Sequence, residues 1–419
     1  MSLWSLPLGG RIGAALFVST FLACVAGEEG AYTEPSAKDA AADGETGSST
    51  DTTETDTDSW APSSELESLL VGGPEDEYYA DYNEHGVVFL RLRRDPVDPE
   101  NPSPSHCLQC VSCEHCHWDL VFRAAGSDND QVLSEDEGPP QSTPRLRDHE
   151  VVWLKPSYQE SAIHAYDIEN GDLRILHMHE STWIQSTPER RGDDYYWYGR
   201  QSHQTWTRAF FRSNRVTAVT TRLFDMDLDE PNTHSGNSQP EFADSQDFAM
   251  DDTTVFWSEC DNGRMRINAR PLSGGETTLA IDFPGWNVFR PTLHLGGLVF
   301  VGSEHSSHCH YNADDGPLVL YSASDNDPPN ELTAAESQVT RYAWPAVDGS
   351  RLYWMDYRHG SYAIYMRDLS DLSGAEERIS SADAVISTSS PIRASHGHVL
   401  WTDRRLGNWD LYVRKVASP

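Results

Sequence analysis

The chain has 419 residues, a formal net charge of −35 at pH 7, and 10% aromatic residues that include 13 Trp and 17 Tyr. A negative field of this size repels nucleic acids and anionic lipid surfaces, so the composition argues against a nucleic-acid-binding protein. Aromatic side chains pack well on pleated strands, which favours an all-β fold. The length is compatible with one repeat domain or with several ordinary domains.

The chain starts with an apolar segment that has the length of a signal-peptide core. Arg11 precedes an uncharged run over residues 12–24, which is too short to span a bilayer as a helix. We therefore predict an exported protein with a signal peptide at 1–23.

The end of this run, FLAC at residues 21–24, resembles the lipobox of bacterial lipoproteins. The resemblance implies that Cys24 becomes the lipidated first residue of the mature protein. Because Val25 rather than Asp follows it, the resemblance points to the outer membrane of the cell envelope. Cleavage near Ala23 or Ala26, which would give a soluble secreted or periplasmic protein, is the alternative.

Residues 24–64 are rich in Thr, Ser, Gly, Asp and Glu and contain almost no large apolar side chains. Such a segment cannot bury enough surface to offset its ordering entropy, so we predict a disordered acidic tether. A tether behind a lipid anchor would hold a folded domain at 65–419 away from a membrane.

The sequence from residue 65 to 419 contains an internal repeat. Each copy combines a polar turn, an apolar strand with a central aromatic residue, a hairpin and further strands bounded by Gly or Asn turns. The seven central aromatic residues are Phe89, Trp153, Trp197, Trp257, Phe300, Trp354 and Trp401. Short strands with regular turns predict an all-β fold, a β-propeller of four-stranded blades.

The last two copies are the most regular, and each contains a strand followed by an Asp-x-Arg-x-Gly hairpin. This pattern resembles the TolB-type (WD40-like) β-propeller repeat over most of residues 65–419. Asp356 and Arg358 recur as Asp403 and Arg405, which indicates a structural role in the hairpins.

The seventh copy ends after its third strand, near Val416. The missing fourth strand is expected to come from residues 66–71 (LESLLV), just before the first copy. Pairing of the two ends removes an exposed sheet edge, which predicts a ring of seven blades closed by N- and C-terminal strands. Because the TolB-type propeller has six blades, six is the alternative.

In such a ring, the connections between second and third strands emerge on the same face as the connections between blades. The long insertions fall in these two kinds of connection, at 93–116, 223–244, 302–316 and 380–390. Long loops on a rigid scaffold commonly carry binding sites, so we predict that this loop-rich face is functional.

A dense cysteine cluster ends the first insertion. Four cysteines at three-residue spacing are followed directly by a histidine, and these residues are Cys107, Cys110, Cys113, Cys116 and His117. In an exported protein, disulfides are the leading interpretation. Four thiolates also suit zinc, and the end of the cluster is the c-type haem pattern Cys-x-x-Cys-His. We expect no cofactor, with zinc or haem as the alternatives.

Cys260 and Cys309 occupy corresponding hairpins of the fourth and fifth copies, so a disulfide between them is expected. Inclusion of Cys309 in a second metal cluster is the alternative. The acidic run that starts at Asp225 resembles the start of a calcium loop but lacks the required Gly and final Glu, so we interpret it as a solvated loop.

Aromatic and arginine residues near the connections between blades form a candidate ligand-binding set, namely Trp183, Trp286, Trp344, Arg290 and Arg341. Aromatic rings beside arginine stack on sugars or cationic groups. Packing between blades is the alternative role for these side chains.

The sequence contains no nucleophile elbow, phosphate loop or HExxH motif, so no catalytic residue is predicted. The favoured function is a non-catalytic exported protein that presents its loop-rich face to a protein, peptide or glycan. A metal- or haem-bearing redox protein and a propeller hydrolase or lyase are the alternatives.

Overall fold

The computed structural model describes residues 67–94, 116–135, 143–155, 161–179, 183–184, 186–202, 205–226, 248–261, 264–294, 297–304, 318–323, 329–333, 345–388 and 390–416. All of these residues belong to one unit that spans Asp58–Pro419. They form strands, turns and irregular segments, and none of them lies in a helix. No apolar helix long enough to cross a membrane therefore occurs in this part of the chain.

The described strands, in chain order, begin with β1 (Glu67–Val71). The next eight are β2 (Asp76–Asn83), β3 (Gly86–Arg94), β4 (Cys116–Ala124), β5 (Asp130–Ser134), β6 (Arg145–Arg147), β7 (Glu150–Lys155), β8 (Ser161–Asp167) and β9 (Asp172–His179). The following nine are β10 (Trp183–Ile184), β11 (Glu189–Arg191), β12 (Asp194–Ser202), β13 (Thr205–Asn214), β14 (Thr220–Met226), β15 (Phe248–Met250), β16 (Thr254–Asp261), β17 (Arg264–Pro271) and β18 (Thr278–Ile281).

The remaining strands complete the C-terminal half. They are β19 (Trp286–His294), β20 (Gly297–Glu304), β21 (Leu318–Ala323), β22 (Asn330–Glu331), β23 (Ala346–Asp348), β24 (Arg351–Asp356), β25 (Ala363–Asp368), β26 (Glu377–Arg378), β27 (Arg393–Ser395), β28 (His398–Asp403) and β29 (Asp410–Lys415).

These strands form seven antiparallel sheets, which are the blades of a β-propeller. Blades 1 and 2 have the strand orders β2-β3-β4-β5 and β6-β7-β8-β9, and blades 4, 5 and 6 repeat this sequential order. Blade 3 is β12-β13-β14 with an inner strand divided into β10 and β11. Within each blade we call the strands a to d from the axis outwards. The prediction of seven blades is confirmed, and the six-bladed alternative is wrong.

The predicted central aromatic residues all lie on strand b and are almost fully buried, with exposed fractions of 0–3%. Strand b is buried on both faces because each face packs against a different neighbouring blade. In β3, Val87 and Phe89 pack with residues of blade 7, whereas Val88 and Leu90 pack with residues of blade 2. Alternate side chains therefore enter two cores, which explains why strand b is a continuous apolar run.

The two ends of the propeller pair in blade 7, whose strand order is β27-β28-β29-β1. The outer strand β1 runs antiparallel to β29, with Ser68 opposite Val413 and Val71 opposite Leu411. The predicted closing strand at residues 66–71 is thereby confirmed. It covers the edge of β29 that would otherwise present unpaired backbone groups to solvent.

The two Asp-x-Arg hairpins have the same internal geometry. Asp403 accepts hydrogen bonds from the backbone N and Nε of Arg405, both at 2.9 Å, and from Nε1 of Trp401 at 3.3 Å. The Arg405 guanidinium lies 4.1 Å from the ring centroid of Tyr412. Asp356 and its hairpin repeat these contacts in blade 6. The structural role predicted for these residues is confirmed.

Candidate functional site

The two edges of the blades carry connections of very different length. Each a–b connection has two or three residues, as at 148–149 and 396–397. The connections longer than ten residues are the b–c segments 95–115 and 305–317 and the d–a segments 227–247, 332–345 and 379–392. Because successive strands are antiparallel, b–c and d–a connections leave the blades at one edge, and a–b and c–d connections leave at the other. We call the first edge the loop-rich face.

The predicted cysteine cluster lies mostly outside the described residues. Cys107, Cys110 and Cys113 belong to the segment 95–115, whereas Cys116 is the first residue of β4. His117 follows it in β4, opposite Arg93 of β3, with a partly buried side chain. In the described ranges, no group of three or more His, Cys, Asp or Glu is arranged to hold a metal ion. The disulfide, zinc and haem interpretations all remain predictions.

The second predicted disulfide is not tested either. Cys260 lies in β16 opposite Met265 of β17, and Cys309 is outside the described residues. Asp225 lies near the end of β14, where Arg222 pairs with it. The acidic residues that follow, from Asp227 onwards, are outside the described residues.

The predicted aromatic set is only partly described. Trp183 starts β10, opposite Arg200, and Trp286 starts β19, opposite Glu304, so both lie at the loop-rich end of an inner strand. The half-buried ring of Trp286 stacks on Phe283 and meets the edge of Tyr321, with centroids 5.4 and 5.5 Å apart.

Of the other three residues in this set, Arg290 is described and two are not. Arg290 has a φ of 55° beside an irregularity of β19, and its backbone N donates to Ser258 Oγ at 3.2 Å. Trp344 and Arg341 are outside the described residues. A role of the five residues in ligand binding therefore remains a prediction.

The inner strands carry a charged layer that no sequence motif marked. In every blade, one strand-a residue lies opposite the residue that precedes the strand-b aromatic. In the four consecutive blades 7, 1, 2 and 3 these residues are Arg393, Asp81, Arg145 and Glu189. In blades 4, 5 and 6 they are Ala249, Thr292 and Ala346. The layer thus has charged side chains on one side of the axis and small uncharged side chains on the other.

Two arginines of blade 2 neutralise the carboxylates of this layer. Arg147 donates from Nη1 to Asp81 Oδ2 at 2.9 Å and from Nη2 to Glu189 Oε2 at 3.2 Å. Arg145 Nη2 lies 2.8 Å from Glu189 Oε1. Burial acts to raise the pKa of Glu189, but Arg145 and Arg147 outweigh it and lower the pKa to about 2. Glu189 is therefore held as a carboxylate at any ordinary pH.

A second group of buried acids lies where blades 1 and 7 meet. Glu77 is fully buried, with Oε1 3.3 Å from Arg91 Nε, and its Oε2 has no hydrogen-bond partner in the described part of the chain. Burial, to which the charge of Asp410 adds, raises the pKa of Glu77 to about 8, although Arg91 acts in the opposite direction. Burial also raises the pKa of Asp410.

Glu77 is expected to make the stability of the propeller depend on pH. Its pKa is higher in the folded chain than the ordinary value of 4.5, so the folded state retains a proton that the unfolded state loses. The contribution of Glu77 to the free energy of unfolding should be largest below pH 4.5 and should fall by up to about 1.4 kcal/mol per pH unit until pH 8. Unfolding titrations of wild type and Glu77→Gln across this range measure the difference, because the amide does not ionise.

The exposed carboxylate Glu276 supplies the matched control for this measurement. Glu276→Gln should retain the wild-type pH dependence, whereas Glu77→Gln should lose the decline between pH 4.5 and 8. Identical pH profiles for wild type and Glu77→Gln would show that Glu77 is ionised in the folded chain.

No family model matches the sequence, and no curated protein matches it. Several solved structures do match. The β-propeller domain of the Trilobed protease from Pyrococcus furiosus is 10% identical, with a TM-score of 0.55, over 81% of this chain and 93% of that one. Oligogalacturonate lyase from Vibrio parahaemolyticus is 11% identical, also with a TM-score of 0.55, over 85% of this chain and 96% of that one.

Two further solved structures belong to other proteins. An acylaminoacyl peptidase from Pyrococcus horikoshii is 10% identical, with a TM-score of 0.54, over 82% of this chain but only 52% of that one. TolB from Acinetobacter baumannii is 11% identical, with a TM-score of 0.40, over 61% of this chain and 58% of that one. At these identities, the likeness to the three structures with TM-scores of 0.54–0.55 shows the propeller fold alone, because one fold serves many functions.

Proposed function

We propose that this chain is a non-catalytic, exported binding protein whose propeller presents its loop-rich face to a protein, peptide or glycan partner. The observation that carries the proposal is the difference between the two edges of the blades. All the connections longer than ten residues, such as 95–115 and 227–247, leave the loop-rich face, and the a–b connections on the other face have two or three residues. A rigid scaffold with long loops on one side is a common design for recognition.

The carboxylate of Glu189 in the charged layer is not suited to acid–base catalysis. A general acid or base works best when its pKa lies near the working pH. Glu189 has a pKa of about 2 and is paired with Arg145 and Arg147, so it neither donates nor readily accepts a proton near neutrality. The ion pairs of the layer keep Glu189 in its charged form.

The proposal includes a membrane anchor at Cys24 and an acidic tether over residues 24–64. A lipid on Cys24 would place the propeller at a membrane surface, and the tether would let the loop-rich face reach a partner. Mass spectrometry of the native mature protein tests this part. A diacylglyceryl mass on an N-terminal Cys24 is expected, and a mature protein that begins beyond Cys24 without lipid would contradict the anchor.

Site-specific photo-cross-linking in intact cells tests the binding face. A photoreactive amino acid at Leu406, a 66% exposed residue in a b–c hairpin, should give discrete adducts with a partner. The matched control is Val216, which is 75% exposed in the c–d turn of blade 3 on the opposite face. Adducts of equal yield from both positions, or from Val216 alone, would argue against the loop-rich face.

The alternative function, a metal- or haem-bearing redox protein, predicts a bound cofactor in the purified protein. A chain that used Cys107–Cys116 for haem would show a Soret band, and one that used it for zinc would contain stoichiometric metal. Absorption and elemental analysis of the same preparation are expected to show neither, with the cysteines recovered as disulfides.

A further inference from the structure

The charged layer of the inner strands contains one guanidinium group more than its carboxylates can pair. Among the described residues, Arg393, Arg145 and the adjoining Arg147 face two carboxylates, those of Asp81 and Glu189. In this layer, the ion pairs of 2.8–3.2 Å between described residues all involve Arg145 or Arg147. Arg393, from the neighbouring blade 7, is left over.

Two donor groups of Arg393 are buried, and no described residue accepts a hydrogen bond from either of them. Its side chain belongs to a residue that is only 8% exposed, and within the described residues neither Nε nor Nη2 has a hydrogen-bond partner. These two N–H groups lie on the same edge of the planar guanidinium and point in parallel. They form the side-on fork with which arginine binds the two oxygens of a carboxylate.

Arg393 carries its charge at neutral pH. Burial lowers the pKa of Arg393, and the nearby Arg145 lowers it further, to about 9. This is still well above 7, so the guanidinium remains protonated. Arg145 Nε is a second buried donor without a partner in the described part of the chain. A buried cation whose N–H groups lack acceptors is unfavourable unless an anion accepts hydrogen bonds from them.

The surroundings of Arg393 indicate the size and charge of that anion. The layer continues from Arg393 into blade 6, where the equivalent residue is Ala346, and then to Thr292 and Ala249. These residues add no charge and little volume. The surplus in the layer is one positive charge, so a monoanion neutralises it. This site stands apart from the strongly acidic character of the whole chain, whose net charge is −35.

We propose that the inner-strand layer is a binding site for a small monocarboxylate, which Arg393 holds side-on through Nε and Nη2, with Arg145 as the neighbouring cation. A planar carboxylate matches the two parallel donors and the single surplus charge, whereas a dianion such as sulfate exceeds that charge. The site lies on the inner strands and does not depend on which partner the loop-rich face binds.

Acetate is the probe for the test. The full-length mature protein is titrated with sodium acetate at constant ionic strength, with sodium chloride as the balancing salt, and the Tm is measured. A ligand that binds only the folded state raises the Tm with saturation. Line broadening of ¹³C-labelled acetate in the presence of the wild-type protein measures the same binding without any variant. Absence of both effects, or a larger Tm rise with sulfate, would overturn the proposal.

Three variants separate binding from a purely structural role. Arg393→Lys keeps the charge but removes the fork, so the apparent affinity for acetate should fall at least about tenfold. Arg393→Met should abolish the acetate response and melt no lower than wild type in chloride, because it removes a buried unpaired charge. Arg212→Lys, at a 43% exposed side chain, should respond like wild type.

Two results with these variants would contradict carboxylate binding by Arg393. If Arg393→Lys keeps the full acetate response, the fork is not the acceptor. If Arg393→Met melts lower in chloride and still responds to acetate, Arg393 has a structural role only. Neither result would bear on the loop-rich face, whose test uses cross-linking at other residues.

Discussion

Replacement of Val71 by aspartate is expected to open the seventh blade and to destabilise the propeller by more than about 4 kcal/mol. Val71 is fully buried on β1, opposite Leu411 of β29, in the core shared by blades 7 and 1. A carboxylate at this position would lie among the apolar side chains of that core, and the apolar contacts of the valine are lost as well. Without β1, the edge of β29 is exposed and the ring is no longer closed.

Leu69 provides the control on the same strand, since it is 45% exposed. Leu69→Asp should change the midpoint of thermal unfolding little. Limited proteolysis should cleave the Val71→Asp variant near β1 and β29 under conditions in which wild type and Leu69→Asp are intact. Equal stability of the two variants would mean that β1 does not contribute to closure of the ring.

Replacement of Asp403 by alanine is expected to cost about 3–5 kcal/mol, because it removes one partner of a buried ion pair. Asp403 is fully buried and accepts hydrogen bonds from Arg405, from Nε1 of Trp401 and from the backbone N of Val385 at 2.9 Å. Loss of the carboxylate leaves each of these donors without that acceptor. Arg405 also pairs with Glu67 of β1, so the closing strand should loosen together with the hairpin.

Asp383 is a matched control because its carboxylate also approaches Arg405, at 3.6 Å, but is 75% exposed. Solvent screens such a pair, so Asp383→Ala should change the free energy of unfolding by less than about 1 kcal/mol. Denaturant titrations of both variants measure the contrast. A loss of stability as large in Asp383→Ala as in Asp403→Ala would show that burial of Asp403 is not what makes it important.

Much of the fold follows directly from the order of the residues. The strand-b aromatics, such as Trp153 and Trp401, lie in local patterns that repeat, and each pattern contains the turns that bound its own strands. The closing strand at residues 66–71 was predictable because the seventh copy lacks a fourth strand and a chain end was available to supply it. Hairpin residues such as Asp403 recur at fixed spacing, which marks them as structural.

The charged layer could not be predicted in this way. The only local signal was that Arg145 and Glu189 directly follow a proline at the start of a short inner strand. Nothing in the spacing indicates that Arg393 lies beside residues more than two hundred positions earlier in the chain. Contacts of this kind depend on closure of the ring, which brings blade 7 against blade 1 and sets the strand registers at one level.

The repeat, the seven blades and the pairing of the two ends could all be predicted from the order of residues, because each depends on short-range periodicity and on the need to cover sheet edges. Which charged side chains meet on the inner strands depends instead on how the blades are arranged around the axis. Asp81 and Glu189 are neutralised by Arg145 and Arg147, whereas no described residue accepts a hydrogen bond from Nε or Nη2 of Arg393. That balance arises from side chains of four different blades, and it exists only once the ring has closed.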